Sequence, residues 1–325
     1  MARGGSRLGR VDLPIIREPG TNLPKIPGTS LSGTARAYTA IATNRYLWKD
    51  RDTEYSCAGR GGEGGEKHCG KVNPACPVCI PYGFSKGTSY SMQGLAQFFD
   101  AHILFFPVAS MVGPVWVTSP MALEGLGLQQ EFQAPADGFY PLGAQLQNKD
   151  RLNFGWLMLN KDTDKENLKE LNQKEIPESV KQKAVLVSLS HIKNTLPSLI
   201  PESVKQKAVL VSDNLFSLIV NSNLEVRTSV SIDPQTGTAE EGALFTYEAI
   251  PRGTILKFEI VYNSGKTFRV AGKDLKTEGN GDVGTSWVRT QVEKGLKLFE
   301  TLGIGGMGTR GMGRLKVLNL EKEDC

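Results

Sequence analysis

Val11-Asp12-Leu-Pro-Ile-Ile-Arg17-Glu-Pro-Gly-Thr-Asn-Leu-Pro24-Lys25-Ile-Pro27-Gly28-Thr-Ser30-Leu-Ser-Gly33-Thr-Ala-Arg36 is the stretch on which the reading of this chain turns. Its prolines and glycines make residues 1–29 an irregular loop, and Ser30 is placed as the N-cap of a helix from about Leu31 to Tyr46. Asp12 sits in that loop between Arg10 and Arg17, ahead of a Pro-Gly turn and a helix N-terminus. A carboxylate so placed can hold a divalent metal or orient a ribose hydroxyl beside a phosphate. It can equally be a solvated loop aspartate or the partner of Arg17.

Charge supports a polyanion near this stretch. The whole chain of 325 residues carries only +4, from 38 Lys+Arg against 34 Asp+Glu. Residues 1–51 hold nine of the basic side chains and three acids, a local +6, leaving 29 basic against 31 acidic elsewhere. A second basic spot, Arg310, Arg314 and Lys316 among the glycines of 303–316, contains no acid. Glycine lets backbone amides approach phosphates closely, so both spots suit RNA or DNA, though a solvated basic surface has the same composition. No apolar run of about eighteen residues exists and no apolar leader opens the chain, so a cytoplasmic protein without a membrane partner is expected.

Further along, Asp50–Gly87 is polar and Gly-rich, and Ser91–Thr118 reads as two or three buried strands. The charged middle contains a repeat: Ile176–Ser188 and Ile200–Ser212 both read IPESVKQKAVLVS, with Pro opening a helical turn and AVLVS a short strand. Residues 224–250 alternate as a hairpin about Asp233-Pro-Gln-Thr-Gly237, and a strand is expected over Ile255–Tyr262. A helix over Ser286–Thr301 has Val288, Val292, Leu296 and Leu298 at core spacing, and LKVLNL is expected to close the chain as a strand. The class is α+β, as one elaborated domain with insertions at 50–87, 160–212 and 224–250.

Four of the five cysteines form the pattern Cys57-x11-Cys69-x6-Cys76-x2-Cys79, with His68 as an alternative ligand. Four soft ligands satisfy tetrahedral zinc with no open position, so the expected cofactor is a structural zinc, against four ordinary reduced thiols. Gly303, Gly305 and Gly308 spell G-x-G-x-x-G, but after a helix and before a strand, the reverse of a dinucleotide fold. His102 reads as a strand residue rather than a base, and no serine-hydrolase elbow or paired carboxylates appear.

The opening stretch, the Gly-rich loop, Gln97–Ser110, Val115–Pro120, Glu225–Asp233 and Glu241–Glu248 together resemble the RAMP superfamily of CRISPR effectors. Within it the chain is similar to the backbone subunit repeated along the guide RNA of the type III-B (Cmr) complex. The resemblance implies a ferredoxin-like (RRM-like) fold with large insertions, a thumb β-hairpin at 224–250 among them. It implies crRNA, complementary target RNA, head-to-tail copies of the chain and other Cmr-complex subunits as partners. Guide contacts would come from Arg10, Arg17, Lys25, Ser30 and Arg36, from Gly305, Gly306, Arg310, Gly311 and Arg314, and from Arg227 on the thumb. Asp12 falls where the family's cleavage aspartate lies, acting with a divalent cation (magnesium or manganese). The alternative is a backbone subunit that binds crRNA without cutting. The family's first strand, which precedes this loop, is expected to be missing or replaced.

Overall fold

The computed structural model describes residues 11–50, 52–59, 65–87, 89–124, 134–162, 200–239, 243–318 and 320. Arg10 and the first copy of the repeat lie outside these residues. In chain order the strands are β1 (Lys25–Ile26), β2 (Trp48–Asp50), β3 (Thr53–Tyr55), β4 (Phe84–Lys86), β5 (Tyr90–Met92), β6 (Ala96–Phe98), β7 (Ala101–Ser110), β8 (Gly113–Thr118), β9 (Gly138–Pro141), β10 (Arg151–Phe154), β11 (Leu157–Lys161), β12 (Ala208–Leu210), β13 (Glu225–Ser229), β14 (Phe245–Ala249), β15 (Ile255–Lys257), β16 (Ile260–Tyr262), β17 (Arg269–Val270) and β18 (Lys273–Asp274). The helices are α1 (Gly28–Ala42), α2 (Cys79–Tyr82), α3 (Pro120–Glu124), α4 (Glu202–Gln206), α5 (Asp213–Ser222), α6 (Thr285–Lys297) and α7 (Phe299–Leu302). The single elaborated domain expected from sequence resolves into two compact units of interleaved segments. One holds the described residues of 26–101 and from Phe258 onward; the other holds those of 11–25 and 102–257.

In the first unit α1 packs against α6. Leu31, Ala35, Thr39 and Ala40 of α1 are buried, as are Val288, Gln291, Val292, Gly295 and Leu296 of α6. Gly295 permits the close approach: a Cβ there would stand 2.4 Å from both the Ala35 carbonyl oxygen and Thr39 Oγ1. β6 pairs antiparallel with β16 in the same unit. The expected N-cap at Ser30 is corrected. The helix begins at Gly28, whose N–H donates to the Asp100 carboxylate at 2.7 Å, and Ser30 is its third residue, with its own N–H on Pro27 O. A carboxylate at the positive end of the helix satisfies one of the open amides that a hydroxyl cap would have taken. The helix stops at Ala42 rather than Tyr46 because Asn44 turns left-handed, with φ 55°.

The second unit is built on a mixed sheet in the order β7-β8-β12-β9-β11-β10, with β15 also antiparallel to β7. The second copy of the repeat supplies its middle. After the short α4, β12 runs parallel to β8 and antiparallel to β9. Val209 and Val211 enter one buried cluster, with Phe106, Phe139, Phe154 and Phe216, while Ala208 and Leu210 enter the other, with Phe105 and Leu123. An uninterrupted apolar run is what a strand covered on both faces requires. Ser212 then caps α5, its hydroxyl accepting from Leu215 N–H.

The expected hairpin is β13–β14, antiparallel and in register from Glu225↔Ala249 to Ser229↔Phe245. Its distal turn is held by the Asp233 carboxylate, which accepts from Gln235 N–H and Thr236 Oγ1, each at 2.9 Å. The expected strand over Ile255–Tyr262 divides into β15 and β16. LKVLNL is corrected as well: its described residues form no strand, and Leu315 N–H instead donates to Phe299 O at the end of the helical pair. Apolar composition alone cannot make a strand without a ladder partner.

Candidate nucleic-acid interface and metal centre

In the second unit the loop around Asp12 is laid along β14. Leu13 N–H donates to Thr246 O (3.0 Å) and Glu248 N–H donates to Leu13 O (3.2 Å), so the loop continues the hairpin in parallel fashion. The side chain of Asp12 is fixed by the same strand: Oδ2 accepts from Thr246 N–H at 2.9 Å and from Thr246 Oγ1 at 3.0 Å. In return Asp12 N–H donates to Thr246 Oγ1 at 3.1 Å. Asp12 is half-buried and its carboxylate is held by the hairpin, not by Arg17.

Arg17 spends its guanidinium within the unit. It forms a two-pronged pair with Glu248 (2.9 and 2.8 Å), and donates to Asn221 Oδ1 (3.0 Å) and Ile15 O (3.1 Å). Burial pushes the Glu248 carboxyl up, but the Arg17 hydrogen bond, the Ile15 amide and the Arg17 charge outweigh it and leave the pKa below its ordinary value. Lys25 pairs with Glu18 at 2.6 Å, and Arg227 is exposed on the hairpin beside Glu225, also at 2.6 Å. Thr246 and Glu248 were not singled out from sequence. Their alternation in Phe245–Ala249 puts them on one face of a strand, but nothing local says that residues 12–17 cover that face.

The first unit carries the Gly-rich loop. Gly305, Gly306, Arg310, Gly311 and Arg314 are brought together there and exposed. The loop is pinched shut by Ile304 N–H donating to Gly313 O (2.8 Å), and Tyr38 OH donates to Gly303 O (2.5 Å). Gly313 has φ 79°, and a Cβ there would lie 2.2 Å from Ile304 O, so only glycine closes the loop. Arg314 Nε donates to Glu300 O at 2.7 Å. Arg36, expected at the guide, turns toward the cysteine segment instead: it donates to Cys57 O (2.8 Å) and to His68 Nε2 (3.2 Å).

The four cysteines converge in this unit, all buried. Cys57 Sγ lies 3.4 Å from Cys69 Sγ and 3.8 Å from Cys76 Sγ, and Cys69 Sγ lies 3.7 Å from Cys79 Sγ. Tetrahedral zinc with bonds of about 2.3 Å sets sulfur–sulfur edges near 3.8 Å, so the donor set and spacing fit the ion. Trp48 Nε1–H donates to Cys57 Sγ and Cys79 N–H to Cys76 Sγ, each at 3.4 Å, the outer hydrogen bonds expected around zinc thiolates. Hydrogen bonds from Cys69, Cys76 and Cys79 favour a thiolate at Cys57, whereas Cys57, Cys69 and burial push the Cys76 thiol up. Four thiolates packed this closely repel one another, so all four ionise together only around a cation. His68 stands outside the cluster. Its Nε2 faces Arg36, its Nδ1–H donates to Ser85 O at 3.1 Å, and burial with the Arg36 charge keeps its pKa low.

The chain matches the RAMP superfamily over residues 3–316 and belongs to it. It is 25% identical over 303 residues to the CRISPR system Cmr endoribonuclease Cmr4 of Pyrococcus furiosus, covering 89% of this chain and 90% of that protein. It is 29% identical over 98 residues to the CRISPR system Cms endoribonuclease Csm3 of Methanocaldococcus jannaschii, covering 30% of this chain and 33% of that protein. It also shares its fold, with a TM-score of 0.56 at 15% identity, with a chain of the type III-B Cmr-beta complex bound to cognate target RNA. That alignment covers 96% of this chain and 90% of the other. Among the described residues, no helix is long and apolar enough to cross a membrane.

Proposed function

We propose that this chain is the crRNA-binding backbone subunit of a type III-B CRISPR effector, repeated head to tail beside the other Cmr-complex subunits, and that it cleaves complementary target RNA at Asp12. The observation that carries the cleavage reading is the attachment of Asp12 to the hairpin by three hydrogen bonds with Thr246. A hairpin that wedges into the guide–target duplex then moves with the carboxylate it carries. The similarity to proteins named endoribonucleases supports the same reading. In the first unit α1 and α6 pack together against the antiparallel pair β6–β16, two helices over strands, which supports a ferredoxin-like core.

The reaction is in-line attack of a ribose 2′-hydroxyl oxygen on its own 3′ phosphate. The O2′–P bond forms as the P–O5′ bond breaks, and the leaving oxygen takes up a proton. With a single carboxylate held by Thr246, alignment of a displaced nucleotide supplies more of the rate than proton abstraction does. A divalent cation, magnesium or manganese, takes one or two protein carboxylates and completes its shell with phosphate and water, so Asp12 would suffice to hold it and it would neutralise charge on the phosphate.

Assembled complexes carrying Asp12→Asn should bind guide and target normally and cut at least about 100-fold more slowly. Thr246→Val should lower the cleavage rate about tenfold without changing target affinity. Undiminished cutting by Asp12→Asn at every interval would mean that Asp12 is not the catalytic group.

A further inference from the structure

A cleft of ≈ 450 Å³ opens beside the metal centre in the first unit, with Lys71, Asn73 and Tyr90 on one wall and Val270, Ala271 and Lys273 on the other. Its walls are tied to each other: Lys276 N–H donates to Val72 O (3.0 Å) and Ala75 N–H to Lys276 O (2.7 Å). Ala271 and Gly272, with φ of 48° and 74°, form the tight turn that brings Lys273 back along Val270.

Among the described residues, no acidic side chain lines the cleft. Neighbouring cations are committed, Arg269 to Asp274 at 2.9 Å and Lys276 to Asp282 at 2.6 Å. Lys273 is exposed, and among the described residues no acid pairs with it. Lys71 is shared between Asp50 and the face of Trp48, 5.0 Å from the ring centre. Lys71 already faces Asp50, so Lys273 supplies the uncompensated positive charge of the cleft, and lysine serves phosphate as a point charge. The volume exceeds a bare phosphate and suits one nucleotide, with Tyr90 and Val270 as apolar surface and the Asn73 amide for a polar edge.

We propose that this cleft binds one phosphodiester unit of single-stranded RNA between Lys71 and Lys273. It is an RNA contact beyond the guide and target contacts proposed above, and it does not depend on cleavage by Asp12. The test is acetylation of the full-length chain, with the reactivity of each lysine read by mass spectrometry. The probes are tetrauridylate, uridine monophosphate, inorganic phosphate and polyglutamate. Tetrauridylate should protect Lys71 and Lys273 about fivefold and leave Lys266 unchanged, and Lys273→Glu should weaken its binding about fivefold with a salt slope shallower by about 0.7. Unchanged reactivity of Lys273 with tetrauridylate overturns the proposal. Equal protection by inorganic phosphate makes it a free-anion site, and protection by polyglutamate alone makes it a protein contact; either result overturns the RNA assignment. Guide binding that depends on Arg310 and Arg314 is a separate readout, so failure of the cleft is distinguishable from failure of the wider RNA-binding role.

Discussion

Arg17 looks in sequence like a free phosphate contact, and the structure commits it to Glu248, Asn221 and Ile15. Its side chain is only 19% exposed and that of Glu248 13%, so solvent screens the pair weakly. Removing one partner leaves the other charge stranded, a loss of about 2 kcal/mol for a pair not wholly buried. The folded pKa of Glu248 lies below its ordinary 4.5, so the pair contributes fully above that value. The contribution is lost as pH falls through the lowered folded pKa. Glu248→Gln should therefore lower the urea midpoint at pH 7 and flatten the loss of stability as pH falls below 4.5. A variant whose acid sensitivity matched that of the unmodified chain would mean the pair is not closed in solution. Arg36 makes the same point from the other unit: a basic residue in a motif helix is engaged by Cys57 and His68, partners whose proximity no local pattern reveals.

At the scale of elements, a metal held by the four cysteines would anchor their segment. Among the described residues β2 pairs with β3 alone and β4 with β5 alone, and such isolated ribbons do not hold in water. Four buried thiols and the Trp48 indole meet at the point that joins them. Stripping zinc with a mercurial should release about one ion per chain and lower the melting temperature by roughly 10–20 °C, with a change in Trp48 emission. Absence of any released ion would reduce the site to four ordinary thiols, and release without either change would mean that the metal does not hold the segment. Elements whose cause is periodic were legible in sequence. The alternation of 224–250 gave β13–β14, the spacing of Val288, Val292 and Leu296 gave α6, and the paired cysteines gave the cluster. Elements whose cause is a distant partner were not. LKVLNL has strand composition but no ladder, and the start of α1 is set by Asp100, far along the chain.

Over the whole molecule, a net charge of +4 understates the affinity for polyanions, because the excess is local. Of the nine basic residues in 1–51, Arg17, Lys25 and Arg36 are tied to protein partners, which narrows the share left for RNA. A guide strand held at the exposed Gly-rich loop of the first unit would draw charge from Arg310 and Arg314. Each phosphate contact on single-stranded RNA contributes about 0.7 to the slope of log K against log salt. Arg310→Gln with Arg314→Gln should then make the slope of guide binding shallower by about 1.4 and weaken binding about tenfold at 100 mM salt. The loop is closed by backbone hydrogen bonds and Gly313, not by these side chains, so the melting temperature should stay within about 2 °C of the unmodified chain. An unaltered slope would place the guide phosphates elsewhere. A lost fold would mean that the Arg314 bond to Glu300 O holds the loop, and lysine at 314 would then restore the slope without restoring that fixed geometry.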